Sequence, residues 1–155
     1  MKIDWVEINS LKPNPKNPNK HSNEQIERLV KLIKYQGWRH PIIVSNRSGL
    51  IAAGHGRLEA AKRMELKQVP VHYQDFEDET QEYAFLTSDN AIASWAELDL
   101  SQINIDLVNL GPDFDIDLLG IKDFILEPAD KGGLTDEDEV PETATESKVR
   151  PGEIW

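Results

Sequence analysis

Short runs of apolar residues, separated by polar and turn-forming residues, fill the first half of the chain. Four of these runs have the length and β-branched content of strands, at residues 3–8, 41–44, 50–53 and 69–73. The turn sequence Asn46–Gly49 separates the second run from the third, which predicts a hairpin. Pro70 lies within the fourth run, and a proline there predicts an edge strand or the start of a strand.

Helical spacing of apolar residues predicts five further elements, at residues 22–37, 57–64, 77–93, 98–110 and 115–119. The first begins with a capping box, in which the Ser22 hydroxyl accepts from the Gln25 backbone and the Gln25 side chain reaches back. Gly37 ends this helix in a left-handed conformation. Strands and helices in this order predict an α+β fold, a small mixed sheet with surrounding helices.

Composition changes along the chain and predicts its domain organisation. Residues Lys12–Lys20 contain three prolines and three asparagines, which excludes a helix or a central strand and predicts an extended basic loop. Residues 127–147 are acidic and have few large apolar side chains, which predicts a flexible linker. We therefore expect a domain over residues 1–95, a helical extension over 96–126, and an acidic tail over 127–155 that leads to a further domain.

Cysteine content and hydropathy exclude several classes of protein. The 155-residue chain has no cysteine, which excludes disulfides, thiolate catalysis, iron–sulfur clusters and cysteine-ligated zinc. It has no apolar run long enough to cross a membrane and no apolar signal core at its N-terminus. A cytoplasmic protein without a membrane partner is expected.

Charge is divided between the two halves of the chain. Residues 1–73 carry a net charge of +7, and residues 74–155 carry a net charge of −18. The basic half has the charge to bind a polyanion such as a nucleotide or DNA. The same pattern is expected if the basic surface is solvated or folds back on the acidic half, so charge alone leaves these interpretations open.

The segment Leu50–Ala61 carries the most informative pattern, because a strand ends, glycines turn the chain and a helix begins. A helix N-terminus presents free N–H groups and a partial positive charge, which suits a phosphate. Gly54 and Gly56 allow the backbone to approach that phosphate, while Arg57 adds a guanidinium and His55 a hydrogen-bond donor. The junction matches neither the dinucleotide-binding nor the P-loop pattern, and on spacing alone its glycines can simply form the turn.

The histidines, the acids of residues 75–79 and Trp38 are further candidates for a functional role. The four histidines lack the spacing of a zinc site. The acids of residues 75–79 resemble a nuclease metal cluster, but they also suit the exposed start of a helix. Trp38 follows a helix-ending glycine and can either stack on a base or pack in the core.

Several motifs in the first 95 residues together resemble the ParB/sulfiredoxin superfamily, in its ParB-like N-terminal domain form. In the family's order they are Asn17–Ser22, Gly37–Ile42, Ala53–Ala61, Val69–Val71 and Ser88–Asn90. The Gly-His-Gly-Arg form of the third motif, with Asp89 and Asn90 downstream, is similar to the version fused ahead of DNA methyltransferases in phages and bacteria. The tail Arg150–Trp155 also resembles the first residues of such a methyltransferase domain.

The resemblance implies a pocket for a nucleoside triphosphate, CTP in ParB proteins and ATP in sulfiredoxins, bound with Mg²⁺. The residues that would border the nucleotide are Gly37, Trp38, Arg39, His40, Pro41 and Ile42. Those that would hold its phosphates are Gly54, His55, Gly56 and Arg57. Asp89 and Asn90 would help to hold Mg²⁺, because carboxylate and amide oxygens suit this ion. DNA is a second expected partner, with its phosphates on the basic residues Lys12, Lys16 and Lys20.

Departures from the family limit what the chain is expected to do. Gly56–Arg57 stands where ParB proteins have two arginines, and Ala93 stands where their Glu-Asn motif ends in arginine. The missing cations favour nucleotide binding over CTP hydrolysis, and the missing cysteine excludes sulfiredoxin activity. The chain also lacks the active-site motif of a methyltransferase and its S-adenosylmethionine loop, so that cofactor is expected only in a further domain.

Three functions remain as alternatives. The first is an accessory domain of a bacterial or phage DNA modification methyltransferase, as a monomer or homodimer, which binds nucleotide or DNA phosphates at Gly54–Arg57. The second is a ParB-like nuclease, with Asp89 and Asn90 as its metal ligands. The third is a non-catalytic adaptor whose acidic half binds another protein. The sequence identifies no catalytic residue for any of them.

Overall fold

Four strands and four α-helices make up residues 2–126, the part of the chain that the computed structural model describes. The strands are β1 (Asp4–Glu7), β2 (Ile42–Ser45), β3 (Ile51–Ala53) and β4 (Gln68–Gln74). The α-helices are α1 (Asn23–Gln36), α2 (His55–Arg63), α3 (Glu79–Ala93) and α4 (Leu100–Leu110), and short 3₁₀ helices cover Ile8–Ser10 and Ile116–Leu119. The elements lie close to their predicted bounds. The predicted acidic linker and the tail Arg150–Trp155 lie outside the described residues.

The strands form one mixed sheet in the order β1-β4-β2-β3. β1 pairs antiparallel with β4, and Asp4 lies opposite Val71. β4 runs parallel to β2, with Val71 also opposite Ile42. β2 and β3 form the predicted antiparallel hairpin. The sheet and its helices confirm the α+β class.

Pro70 lies in an interior strand, so the prediction that its strand is at an edge, or that Pro70 begins it, is wrong. β4 has β1 on one side and β2 on the other. Pro70 lies opposite Trp5 of β1, and because proline has no N–H, this is a non-hydrogen-bonded pair of the antiparallel ladder. The register with β2 begins one residue later, at Val71. The proline therefore removes no hydrogen bond from either ladder.

The hydrophobic core joins the sheet to α2. Ile42 of β2, Ile51 of β3 and Leu58 of α2 are each 1% exposed or less. Burial of an aliphatic side chain of this size contributes about 1.5–3 kcal/mol. Trp38 packs against the same cluster, which favours the core interpretation of this side chain over stacking on a base.

Helix α1 packs against α2 and has the predicted caps. The Ser22 hydroxyl accepts from the Gln25 backbone N–H at 3.1 Å, and Gly37 ends the helix with a φ of +73°. The Gln25 side chain does not complete the capping box, because its Oε1 bonds His21 Nδ1 at 3.1 Å. The cap therefore fixes the His21 side chain beside the start of α1.

The acidic half of the chain folds back on the basic half, which is one of the arrangements that the charge pattern left open. The ion pairs between the halves include Lys16–Glu79, Arg47–Glu82 at 2.9 Å, and Lys31 with Asp115 at 2.6 Å and Asp117 at 2.9 Å. These pairs hold α3 and the second 3₁₀ helix against the basic half. The pairs of Lys16 and Lys31 are exposed and each contributes little to stability, whereas the Glu82 carboxylate of the Arg47 pair is buried.

Glu82 of α3 is a buried carboxylate, with 3% of its surface exposed. It accepts hydrogen bonds from Ser45 Oγ at 2.9 Å, Ser48 Oγ at 2.6 Å and Arg47 Nε at 2.9 Å. Burial raises the pKa of Glu82, but the hydrogen bonds from Ser48, Ser45 and Arg47 outweigh it and leave the pKa below its ordinary value. Glu82 therefore ties α3, as a charged carboxylate, to the turn between β2 and β3.

Replacing Glu82 with glutamine is expected to lower the free energy of unfolding at pH 7 by about 2 kcal/mol, because three hydrogen bonds lose their charged acceptor. The folded-state pKa of Glu82 lies below its ordinary value of 4.5. The carboxylate therefore stabilises the fold above that pH, and its contribution disappears as the pH falls through the folded-state pKa. The difference between wild type and Glu82→Gln in urea denaturation should shrink from pH 7 to pH 3.

The control for this measurement is Glu59→Gln, which removes an exposed partner of Lys62 and should lower stability by less than about 1 kcal/mol. An equal loss for Glu82→Gln at both pH values would contradict the role of its charge.

Candidate functional site

The junction between β3 and α2 is shaped by Gly54, which caps the N-terminus of α2. Gly54 has a φ of +98°, a left-handed conformation. A Cβ atom at this position would lie 3.1 Å from Arg57 Nη2 and 3.3 Å from Ile42 Cα. The position therefore needs glycine for its backbone angle and for its space.

Helix α2 begins with free backbone donors. Its first bond runs from the Leu58 N–H to the Gly54 carbonyl at 3.0 Å. The N–H groups of His55, Gly56 and Arg57 have no carbonyl one turn earlier that can accept from them. Within residues 2–126 no side chain caps this end, so it keeps its free donors and the positive end of the helix dipole.

A cavity of about 210 Å³ lies at this junction. The predicted phosphate residues Gly54–Arg57 form one wall, and the predicted metal residues Asp89 and Asn90 of α3 form another. The other lining residues come from the basic loop, from α1 and the segment that leads into it, from β3 and from α3; they are Asn17, Asn19, His21, Gln25, Leu29, Ala52, Ala53 and Leu86. The fold therefore brings together two predicted sets of residues that lie far apart in the sequence.

Arg57 is held beside the cavity with part of its hydrogen-bonding capacity unused. Its Nη2 donates to the Pro41 carbonyl at 3.3 Å, while its Nε is buried without a partner among the described residues. Burial lowers the pKa of Arg57, and the Asp89 carboxylate acts in the opposite direction; the guanidinium stays charged at neutral pH. A buried donor without a partner destabilises the fold, and an anion beside it would remove that penalty.

His55 anchors the basic loop to α2. Its Nε2 accepts a hydrogen bond from the Asn14 backbone N–H at 3.1 Å. A backbone N–H can only donate, so Nε2 carries no proton, and neutral His55 holds its proton on Nδ1. Burial lowers the pKa of His55, His21 lowers it further, and Glu59 raises it. His55 is therefore held neutral, with Nδ1–H as its donor.

The basic loop Lys12–Lys20 contains no helix, as predicted, but it is not extended throughout, because the Asn17 N–H bonds the Asn14 carbonyl at 3.1 Å across a turn. Its Asn17 and Asn19 contribute to a wall of the cavity. Its three lysines, Lys12, Lys16 and Lys20, are all exposed. Lys16 forms an ion pair with Glu79 at the start of α3, so part of its charge is neutralised. Contact of these lysines with DNA stays a prediction.

The residues that form the cavity walls do not include the predicted nucleotide-bordering residues Gly37–Ile42. Trp38 packs on the core, and the two residues after it are exposed. Pro41 takes part through its carbonyl, which holds Arg57. Contact of this segment with a nucleotide stays a prediction.

Asp89 and Asn90 are exposed on α3 where it borders the cavity. One carboxylate and one amide are few ligands, but Mg²⁺ usually keeps several waters and is bound by one or two carboxylates together with phosphates. The two residues therefore fit Mg²⁺ in company with phosphate oxygens. Among residues 2–126, no three histidine or acidic side chains are grouped so that they could hold a metal by themselves.

The acids of residues 75–79 have structural partners. Asp75 accepts from Asn46 Nδ2 at 2.7 Å, and Asp78 caps α3 by accepting from the Gln81 N–H at 2.7 Å. These contacts support the interpretation of this segment as a helix start.

The cavity also includes residues for which the sequence predicted no role at the site. His21 and Gln25 line it because the cap of α1 places them at the edge of α2. The signal that could have found His21 is its place within the Asn17–Ser22 motif. The hydrogen bond between Asn14 and His55 had no signal in the sequence.

Comparison with known proteins assigns the family. The model of the ParB N-terminal domain family matches residues 1–90, and the chain belongs to this family. It is 39% identical over 71 residues to the ParB-like nuclease domain-containing protein YnaK of Escherichia coli (strain K12), which covers 46% of this chain and 80% of YnaK.

Solved structures share the fold. The C-terminally truncated chromosome-partitioning protein ParB of Caulobacter crescentus, complexed with CTP-gamma-S, matches with a TM-score of 0.57 and 26% identity, over 68% of this chain and 61% of that one. A Pnob8-like ParB-N domain matches with a TM-score of 0.50 and 21% identity, over 70% of this chain and 47% of that one. The expected ParB-like fold is confirmed, and this chain spans about three fifths of the truncated Caulobacter chain.

No helix within residues 2–126 is both long enough and apolar enough to span a membrane.

Replacing Gly54 with alanine is expected to lower the free energy of unfolding by about 2–3 kcal/mol, because the new Cβ adds close contacts to the strain of a left-handed backbone. Gly49→Ala is the matched control, since Gly49 has a φ of +70° but nothing within 4 Å of its Cβ position. Gly49→Ala should lower the free energy of unfolding by about 1 kcal/mol, because only the backbone strain acts there. Urea denaturation measures both, and equal losses would show that the contacts around Gly54 are unimportant.

Proposed function

We propose that this chain is a nucleotide-binding ParB-like domain whose cavity holds the phosphates of CTP, or alternatively of ATP, at the start of α2. The observation that carries the proposal is the meeting of free helix N–H groups, the Arg57 guanidinium and the Asp89 carboxylate in one cavity. The first two attract an anion. A carboxylate beside them favours a cation between itself and that anion. A metal-bound polyphosphate has both charges.

The residues at the start of α2 would each make a different contact with the phosphates. The N–H groups of residues 55–57 bind oxygens at the positive end of the helix dipole. Arg57, with its unpartnered Nε among the described residues, adds a charge-assisted hydrogen bond. His55 donates from Nδ1 while its Nε2 holds the loop, so it contributes without becoming charged.

Mg²⁺ supplies positive charge that offsets the phosphates when the nucleotide is bound. Asp89 and Asn90 are the residues that would hold it. The Glu82 hydrogen bonds fix the same helix to the β2–β3 turn. The separation of α3 from α2, and hence of Asp89 from Arg57, is therefore set by the fold rather than by the ligand.

A solved relative supports the nucleotide part of the proposal, since the Caulobacter ParB structure was determined with CTP-gamma-S. Binding without hydrolysis is proposed, because Gly56 and Ala93 stand where the family resemblance implies arginines.

The domain is further proposed to serve a DNA modification methyltransferase as its accessory domain. The support is the resemblance of the Gly54–Arg57 and Asp89–Asn90 motifs to the methyltransferase-fused version of the family. Exposed basic residues of the first half, Lys12, Lys20 and Arg39, would contact DNA phosphates. S-adenosylmethionine would bind in the methyltransferase domain.

Calorimetric titration with CTP-gamma-S and Mg²⁺ tests the nucleotide proposal. Wild type is expected to bind, and Arg57→Gln should bind about tenfold more weakly, because a charge-assisted hydrogen bond to phosphate is lost. Lys34→Gln removes the same charge from an exposed position outside the cavity wall and should bind like wild type. Thermal unfolding checks that both variants fold. Failure of wild type to bind CTP-gamma-S, CTP or ATP at low salt would overturn the proposal.

A nuclease is the second candidate, favoured by the name of the Escherichia coli relative, a ParB-like nuclease domain-containing protein. A metal-dependent nuclease needs a carboxylate-held metal and a water nucleophile, and Asp89 with Asn90 is the pair available for that role. Supercoiled plasmid incubated with the protein and Mg²⁺ or Mn²⁺ is expected to stay intact. Nicking that disappears in Asp89→Asn would establish the nuclease instead.

A further inference from the structure

The space above Gly56 is filled by a histidine from another part of the chain. A Cβ atom at Gly56 would lie 3.2 Å from His21 Cε1 and 3.3 Å from His21 Nδ1. His21 also lines the cavity, next to the residues proposed to bind phosphate. The absence of a side chain at Gly56 therefore lets the His21 ring lie against the first turn of α2.

The His21 ring is oriented by one hydrogen bond. Its Nδ1 lies 3.1 Å from Gln25 Oε1, and an amide oxygen only accepts, so Nδ1 carries the proton. Neutral His21 therefore has its lone pair on Nε2, which has no hydrogen-bond partner within residues 2–126. While Nδ1 keeps its bond to Gln25 Oε1, Nε2 becomes a donor only when the ring is protonated.

The two imidazoles of the cavity offer a ligand opposite hydrogen-bonding roles when neutral, because each uses a different ring nitrogen within the protein. His55 accepts at Nε2 and donates from Nδ1 while neutral. His21 donates from Nδ1 to Gln25 and has only a lone pair left for a ligand. A phosphate oxygen can therefore accept from neutral His55, whereas it repels neutral His21 and attracts its imidazolium.

We infer that His21 is a phosphate-binding residue of this cavity and that it binds the anion as an imidazolium, so that nucleotide binding takes up a proton. The inference rests on the proposed nucleotide-binding function. It adds to that function a residue and a pH dependence that the helix N-terminus and Arg57 do not provide.

The titratable and charged groups that face the cavity together with His21 come from two helices. They are His55 and Arg57 on α2 and Asp89 on α3, and the Glu59 carboxylate of α2 raises the pKa of His55. The basic loop and α1 add the neutral residues Asn17, Asn19, Gln25 and Leu29. A phosphate bound at the start of α2 adds negative charge beside the His21 ring. The protonated ring is therefore favoured in the complex, and affinity rises as the pH falls from 8 to 6.

Calorimetric titration with CTP-gamma-S at pH 6 and pH 8 tests the inference. The γ-phosphate of the probe also titrates in this range, so His21→Gln serves as the baseline. Wild type is expected to gain about tenfold more affinity than His21→Gln on going from pH 8 to pH 6. His21→Lys carries a permanent cation and should bind tightly at both pH values. His72→Gln, at a histidine of β4 outside the cavity wall, should keep the wild-type profile.

Proton uptake gives a second readout. Titrations at pH 7 in two buffers of different ionisation enthalpy should show that wild type takes up more protons than His21→Gln on binding. If His21→Gln does not fold, NMR titration of the His21 ring in wild type replaces it. Saturating CTP-gamma-S should then move the midpoint of that ring to higher pH, and an unmoved midpoint would refute the inference.

The failure of the inference is distinct from the failure of the proposed function. If wild type and His21→Gln bind CTP-gamma-S with the same pH profile and the same proton uptake, His21 has no role and the nucleotide site stands. If wild type does not bind at any pH, the proposed function itself is wrong.

Discussion

The left-handed backbone at Gly54 is the constraint on which the candidate site depends. It ends β3 and starts α2 at one residue, which leaves the next three N–H groups without partners in the helix. The missing side chain also makes room for the Arg57 guanidinium. The side chain of Leu58, in the first turn of α2, is buried in the core. This anchor holds the donors in place before any ligand arrives. One glycine thus positions both the backbone and the side-chain charge of the site.

Pairing between the two oppositely charged halves supplies the other side of the cavity. Glu82 accepts from three donors of the β2–β3 turn region and holds α3 in place, while Lys16 pairs with Glu79 at the start of the same helix. Asp89 is therefore carried to the cavity by contacts made about two and about three turns earlier on α3. The excess of charge that suggested a polyanion partner is partly used inside the protein.

Local patterns in the sequence predict most of the helices and strands. The rest of the fold depends on contacts between residues far apart in the chain, which local patterns do not show. The caps Ser22 and Gly37 act within one turn, so the bounds of α1 followed from the sequence. Whether a strand is interior depends on its neighbours, so a proline within a run predicts an edge strand even though β4 lies between β1 and β2. The family resemblance predicted the roles of Gly54–Arg57 and Asp89–Asn90, which periodicity alone does not join. The place of His21 in the cavity depends on how α1 packs on α2, and its position in the Asn17–Ser22 motif is the sequence signal that points to it.

Amide chemical-shift mapping tests the central claim most directly. ¹⁵N-labelled protein titrated with CTP-gamma-S and Mg²⁺ should show its largest shifts at the amides of His55, Gly56 and Arg57, smaller ones at Asp89 and Asn90, and little change along α4. Binding at saturation with the amides of residues 55–57 unmoved would contradict the account.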